Sequence, residues 1–171
     1  MAEEILVGAT VYDKLEKQAG ITVLEGGWLG VGKEAKKFEE RLADYIGHNY
    51  GIVTNSGSSA LLLALKALNL PKNSKVIVCA TGFPATVAPI IHCGLTPVFV
   101  DAELISYSID PAEIIKAYEE HENITAIIFA HTVGNVANMD KTMELAHNYV
   151  LKVIEDCADA LGAKWNDKQV G

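Results

Sequence analysis

KVIVCATGFPATVAPIIHCGLTPVFVD, residues Lys75 to Asp101, decides the fold class. KVIVCA is a short, unbroken apolar run without polar alternation, and it reads as a strand covered on both faces. TGFPAT is a loop-like break in which Pro84 takes the first position of a helix, where a missing N–H is harmless. PVFVD is apolar again and reads as a second strand. Strand, helix and strand in this order form the crossover unit that parallel pairing requires.

The same rhythm extends in both directions. Upstream, Tyr50 to Thr54 reads as a short strand, NSGSS follows, and a helix runs from about Ser59 to Leu68. That helix is apolar on nearly all sides, which predicts burial. After Gly32, Ala35, Phe38, Leu42 and Tyr45 recur at helical spacing, and Gly47 closes the helix. Downstream, SIDPAE predicts a helix start: Asp110 as N-cap, Pro111 at the first position and Glu113 completing a capping box. TAIIFAH and LKVIED read as strands, and Met139, Met143, Ala146 and Val150 stripe the helix between them. The expectation is a three-layer α/β/α fold with a mostly parallel sheet. Residues 1–32 form an N-terminal segment and 33–171 a large domain; no repeat or linker interrupts it.

Composition narrows the function. The 171 residues carry a net charge of −8, and Arg41 is the only arginine. A nucleic-acid binder carries a basic stripe, so that class is excluded. The acidic opening MAEEILVGAT has no signal-peptide pattern, and SALLLALKAL is too short to span a bilayer. Cys79, Cys93 and Cys157 are odd in number and widely spaced, against a disulfide framework or zinc site. These features predict a soluble, cytoplasmic protein with reduced thiols, not bound to membrane.

In sheets of this kind ligands bind beyond the carboxyl ends of the strands. NSGSS, ATGFP, AHTVGN and EDCAD all fall there, so four polar segments converge on one rim. Gly57, Ser58 and Ser59 open a helix after a strand, an arrangement suited to an anion, although serines serve equally as caps. Phe83 is either a core aromatic or a stacking wall. His131 ends its strand, where a lone histidine is more often structural than catalytic; Asn135 in the same segment is the other candidate for substrate contact. Asp156 follows Val153, Ile154 and Glu155, and a carboxylate at that depth needs a positive or hydrogen-bonding partner. Asp159, three residues on, reaches the same ligand if the backbone turns. GWLGVGK, Gly27 to Lys33, mimics a phosphate loop, but Glu34 stands where Ser or Thr would hold magnesium, and that reading is rejected. An anion cradle, an aromatic plate and a deep carboxylate together describe a site for pyridoxal phosphate, with Asp156 keeping the pyridine nitrogen protonated.

NSGSSALLLAL, PVFVD, SID, the IED strand and the closing GAKWNDKQVG resemble the DegT/StrS sugar aminotransferase family, fold-type-I enzymes acting on nucleotide sugars. ATGFPATVAPIIHCGLTPVFVD, AHTVGN and IEDCADALG are most similar to its sugar 3-dehydratases, typified by CDP-4-keto-6-deoxyglucose 3-dehydrase. The resemblance implies pyridoxal or pyridoxamine phosphate, bound by Ser58 and Ser59 through the phosphate, Phe83 on the ring, Asp156 at the ring nitrogen and Asp159 near the ring hydroxyl. It implies a nucleotide-linked 4-keto sugar as substrate, within deoxysugar or lipopolysaccharide biosynthesis. Some members of the branch bind a [2Fe–2S] cluster through adjacent cysteines; here Cys157 precedes Ala158, which leaves Cys157 a weak candidate. The family's Schiff-base lysine, or the histidine replacing it, lies beyond the IED motif, after the hairpin that KWNDKQVG begins. The chain therefore reads as the front of such an enzyme, or of a nucleotide-sugar aminotransferase of the same family, acting as a homodimer or with a complementing C-terminal chain. The other alternative is a non-catalytic remnant or partner subunit, and no catalytic residue is assigned within it.

Overall fold

The computed structural model describes residues 10–171; the acidic opening at residues 1–9 lies outside them. Two compact units divide between Phe38 and Glu39. The first contains α1 (Lys14–Glu25), which the sequence analysis missed. Its signal was present: Asp13 and Glu16 form a reciprocal capping box at its start. GWLGVGK follows a helix rather than a strand, and the Trp28 Nε1–H donates to the Val31 carbonyl of the same loop at 3.1 Å.

The second unit holds a four-stranded, all-parallel sheet of order β2-β1-β3-β4. The strands are β1 (Lys75–Cys79), β2 (Thr96–Val100), β3 (Ile124–Ala130) and β4 (Lys152–Asp156). Helices α3 (Gly57–Ala67) and α4 (Pro84–His92) cover one face; α5 (Pro111–Glu120) and α6 (Met139–Asn148) cover the other. Strand alternation sorts the core. Val76, Val78, Ala126 and Ile128 pack with Leu61, Leu65 and Ile90. Ile77, Cys79, Ile127 and Phe129 pack with Ile114, Ala117 and Leu145. Beyond β4, Lys164–Trp165 and Lys168–Gln169 form a hairpin (β5 and β6). Its two turn residues, Asn166 and Asp167, have φ of 48° and 63°, the left-handed geometry of a tight two-residue hairpin turn.

Five local expectations are corrected. Tyr50–Thr54 is not a strand. The segment is tied to α2 (Lys33–Ile46) instead: Val53 N–H donates to Glu39 Oε1 at 2.8 Å, and a Cβ on Gly51 would lie 2.4 Å from the Glu39 carbonyl oxygen. On α2, Phe38 and Tyr45 face solvent while Ala43 is the buried residue, so the inward stripe is rotated from the predicted one; Gly47 does end the helix, at φ 91°. On α3 only Leu61 and Leu65 are buried, and Leu63 stays 45% exposed, because one sheet covers one side of a helix and nothing described covers the other. Asp110 caps α5 through the Ala112 N–H, and Glu113 pairs with Lys116 rather than closing a box. On α6 the inward face is Met139, Thr142, Leu145 and Ala146; Val150 lies beyond the helix.

Candidate functional site

Chain direction fixes where the site lies. β1 leads into α4 on one face, whereas its neighbour β3 leads toward α6 on the other, so the connections part at the carboxyl ends of these two strands. Such a parting opens a crevice. A cavity of about 290 Å³ fills it, lined by Gly57 and Ser58 of α3, Gly82, Phe83, Ala85 and Thr86 at the head of α4, Ala130 to Thr132 at the end of β3, and Asp156, Ala158 and Asp159 at the end of β4.

Two helices point their N-termini at this space. Ser56 caps α3, its Oγ accepting the Ser59 N–H at 3.2 Å and its carbonyl accepting the Ala60 N–H at 3.0 Å. Among the described residues nothing accepts the N–H groups of Gly57 and Ser58, and a Cβ on Gly57 would meet open space. The first turn thus presents free donors and a positive dipole end to the cavity. Ser59 is turned into the cap and does not line the cavity; its Oγ accepts from Ser56 at 3.1 Å.

Phe83 sits just before α4 in extended conformation and is 75% exposed, so it is not a core aromatic; its ring borders the cavity. Asp156 ends β4 in register with Ala130. Its Oδ2 accepts the Thr86 hydroxyl at 2.7 Å and its Oδ1 accepts the Ala158 N–H at 3.1 Å. The backbone then turns, with Ala160 N–H donating to Cys157 O, and Asp159 returns to the cavity mouth. Thr132, another lining residue, has a buried hydroxyl oxygen with no partner among the described residues.

His131 lines the floor but is fully buried and engaged on both nitrogens. Nδ1 accepts the Ala137 N–H at 3.1 Å, which puts the ring proton on Nε2, facing Glu155 Oε2 at 3.1 Å. Burial pushes the Glu155 carboxyl up, but the bonds from His131 and from the Gly171 N–H outweigh it and hold the group below its ordinary value. Cys157 lies within 4.8 Å of both, donor atom to donor atom. Burial, then the charges of Glu155 and Asp156, push its thiol up to about 12, so it keeps its proton at neutral pH. Asn135 stands apart from the cavity, its carbonyl accepting the buried Ser108 hydroxyl at 2.8 Å.

Gly57, Ser58, Phe83, His131, Asp156 and Asp159 therefore share one cavity, while Ser59, Asn135 and Cys157 do not line it. Thr86 and Thr132 were missed. Each is a lone threonine in an ordinary context, and only tertiary structure brings Thr86 to a residue 70 positions away.

Comparison with known proteins gives concordant findings. A sequence model of the DegT/DnrJ/EryC1/StrS aminotransferase family matches residues 11–171. The lipopolysaccharide biosynthesis protein RfbH of Salmonella typhimurium is 44% identical over 85% of this chain and 35% of its own length. The dTDP-3-amino-3,6-dideoxy-alpha-D-galactopyranose transaminase of Aneurinibacillus thermoaerophilus is 38% identical over 94% of this chain and 44% of its own. A crystal structure of GDP-4-keto-6-deoxymannose-3-dehydratase with a trapped PLP-glutamate geminal diamine superposes with a TM-score of 0.92 at 28% identity, over 98% of this chain and 45% of that one. The chain thus spans less than half the length of each of these relatives. No described helix is long and apolar enough to cross a membrane.

Proposed function

The chain belongs to the DegT/DnrJ/EryC1/StrS aminotransferase family, and from that premise we propose that its rim cavity holds pyridoxal or pyridoxamine phosphate. The observation that carries the reading is the convergence in one cavity of free helix N-terminal donors, an exposed aromatic and a strand-tip carboxylate. The residues fit the group. The N–H groups of Gly57 and Ser58, with the Ser58 hydroxyl, receive the phosphate, which the α3 dipole favours. The Phe83 ring walls one face of the pyridine. The Asp156 carboxylate, held on both oxygens, keeps the proton on the ring nitrogen. Asp159, at the mouth, lies on the side of the ring hydroxyl, and the unpaired Thr132 oxygen is available to the same ligand. When bound, the cofactor supplies an electron-withdrawing pyridinium that stabilises negative charge at the carbon joined to its amine.

The substrate class we assign is a nucleotide-linked 4-keto sugar, and the reaction removal of its 3-hydroxyl, placing the protein in deoxysugar or lipopolysaccharide biosynthesis. The segments around Phe83, His131 and Asp156 support the dehydratase branch over a sugar aminotransferase. Among the described residues the cavity lining contains no lysine.

Calorimetric titration of the chain with pyridoxamine phosphate tests the reading. One-to-one binding, competed by pyridoxal phosphate, is the expected result. Borohydride reduction of the pyridoxal phosphate complex should leave no stoichiometric pyridoxyl-lysine. Absence of saturable binding overturns the proposal.

A further inference from the structure

We propose that Thr86 is a positioning residue that sets the geometry between the ring wall and the ring-nitrogen carboxylate; this rests on the cofactor reading above. Thr86 is 4% exposed, in the first turn of α4. Its backbone N–H donates to the Phe83 carbonyl at 3.0 Å, and its hydroxyl donates to Asp156 Oδ2 at 2.7 Å. One residue thus holds both groups that flank the pyridine: the wall through the helix turn, the carboxylate through the side chain.

The hydroxyl bond spans two layers of the fold. Phe83 belongs to the α4 side of the sheet and Asp156 to the tip of β4, and β4 is the outermost strand. With Thr86 on Oδ2 and the Ala158 N–H on Oδ1, the carboxylate plane is fixed from two sides, and each oxygen keeps a lone pair for a ligand. Loss of the hydroxyl leaves Ala158 as the sole restraint, and the carboxylate can rotate away from the ring nitrogen. A charge-assisted bond depends strongly on that alignment.

Thr86→Val keeps the volume and removes the donor; Thr86→Ser keeps the donor. The probe is pyridoxamine phosphate, labelled with ¹⁵N in the ring. We expect Thr86→Val to weaken binding about tenfold, equivalent to about 1.4 kcal/mol. The bound ring nitrogen should also lose its proton about one pH unit earlier, seen in its ¹⁵N shift. Thr86→Ser should match the parent within about twofold in affinity, equivalent to about 0.4 kcal/mol, because the donor to Asp156 is retained. In an Asp156→Asn background, Thr86→Val should have little further effect on binding, since both changes act on one contact. Should Thr86→Val fail to fold, Thr86→Ala provides the hydroxyl deletion. Parent-like binding and ¹⁵N titration in the folded deletion variant, or equal losses in both backgrounds, overturns the inference while leaving the cofactor reading intact. Failure of the parent chain to bind overturns that reading and this inference with it.

Discussion

The two ends of the sheet each hold a cavity under the same pair of helices, and the cavities are similar in size: about 290 Å³ at the carboxyl end and about 240 Å³ at the amino end. Their chemistry is opposite. At the carboxyl end α3 and α4 begin, offering unpaired N–H groups and a positive dipole end. At the amino end they finish, and Lys66, Asn69, His92 and Cys93 line the space beside outgoing carbonyls. An anion is favoured at the first and disfavoured at the second by the peptide dipoles alone. The amino-end turns also consume their own polar groups, as Lys75 N–H donates to Asn123 O at 2.8 Å and Thr96 N–H to Ser74 O at 3.2 Å. Volume does not distinguish the two ends; helix direction and a strand-tip carboxylate do.

The sharpest way to break this contrast is at Asp156. Asp156→Asn should weaken pyridoxamine phosphate binding by roughly 2 kcal/mol, about thirtyfold, because the amide cannot stabilise the pyridinium. The thermal midpoint should change little, since the amide oxygen can still accept from Thr86 or Ala158. Calorimetry and thermal melts measure the two effects. Full affinity in the variant would reduce Asp156 to a cap on its own turn, and the two ends would no longer differ in function.

Backbone strain offers a second comparison, because each end carries a valine in left-handed conformation. Val133, at the carboxyl end, has φ 50° and is 69% exposed; Val150, at the amino end, has φ 56° and is 84% exposed. Asn tolerates this region far better than a β-branched residue. Val133→Asn and Val150→Asn should each stabilise by about 1 kcal/mol, read as a rise of a few degrees in the melting midpoint. Equal gains show that strain is common to both ends and does not set them apart. A gain at Val150 alone would mean that the turn after His131 depends on the valine.

A smaller effect is the pH dependence beneath the cavity. The Glu155 carboxyl lies below its ordinary value of 4.5 in the folded state. Its contribution to stability is therefore complete above 4.5, and it is lost as pH falls through the lower folded value. Glu155→Gln should flatten the acid limb of a denaturant-midpoint series below that pH and leave the slope above it unchanged. An identical acid limb in the variant would show that the bonds from His131 and Gly171 do not distinguish its ionised form. Smallest of all, Lys66→Ala should leave pyridoxamine phosphate affinity within about twofold, an ordinary surface effect. A marked loss there would move the anion site to the amino end.

The sequence by itself determined the layers and the rim. Unbroken apolar strands separated by helices have one packing solution, a parallel sheet covered on both faces, and that solution sends NSGSS, ATGFP, AHTVGN and EDCAD to the same end. The positions of Ser58, Phe83 and Asp156 were legible for this reason, since each stands at a fixed offset from a strand end or helix start. Tertiary structure alone decided which side of these helices turned inward, since on α3 and α6 the hydropathy pattern admits more than one stripe and the sheet selects one. It also decided the hydrogen-bond partners. Ser59 is drawn into the Ser56 cap, His131 is spent on Ala137 and Glu155, and Thr86 meets Asp156 from another layer. Such pairings join residues far apart in the chain, and their geometry exists only once the backbone has closed around them.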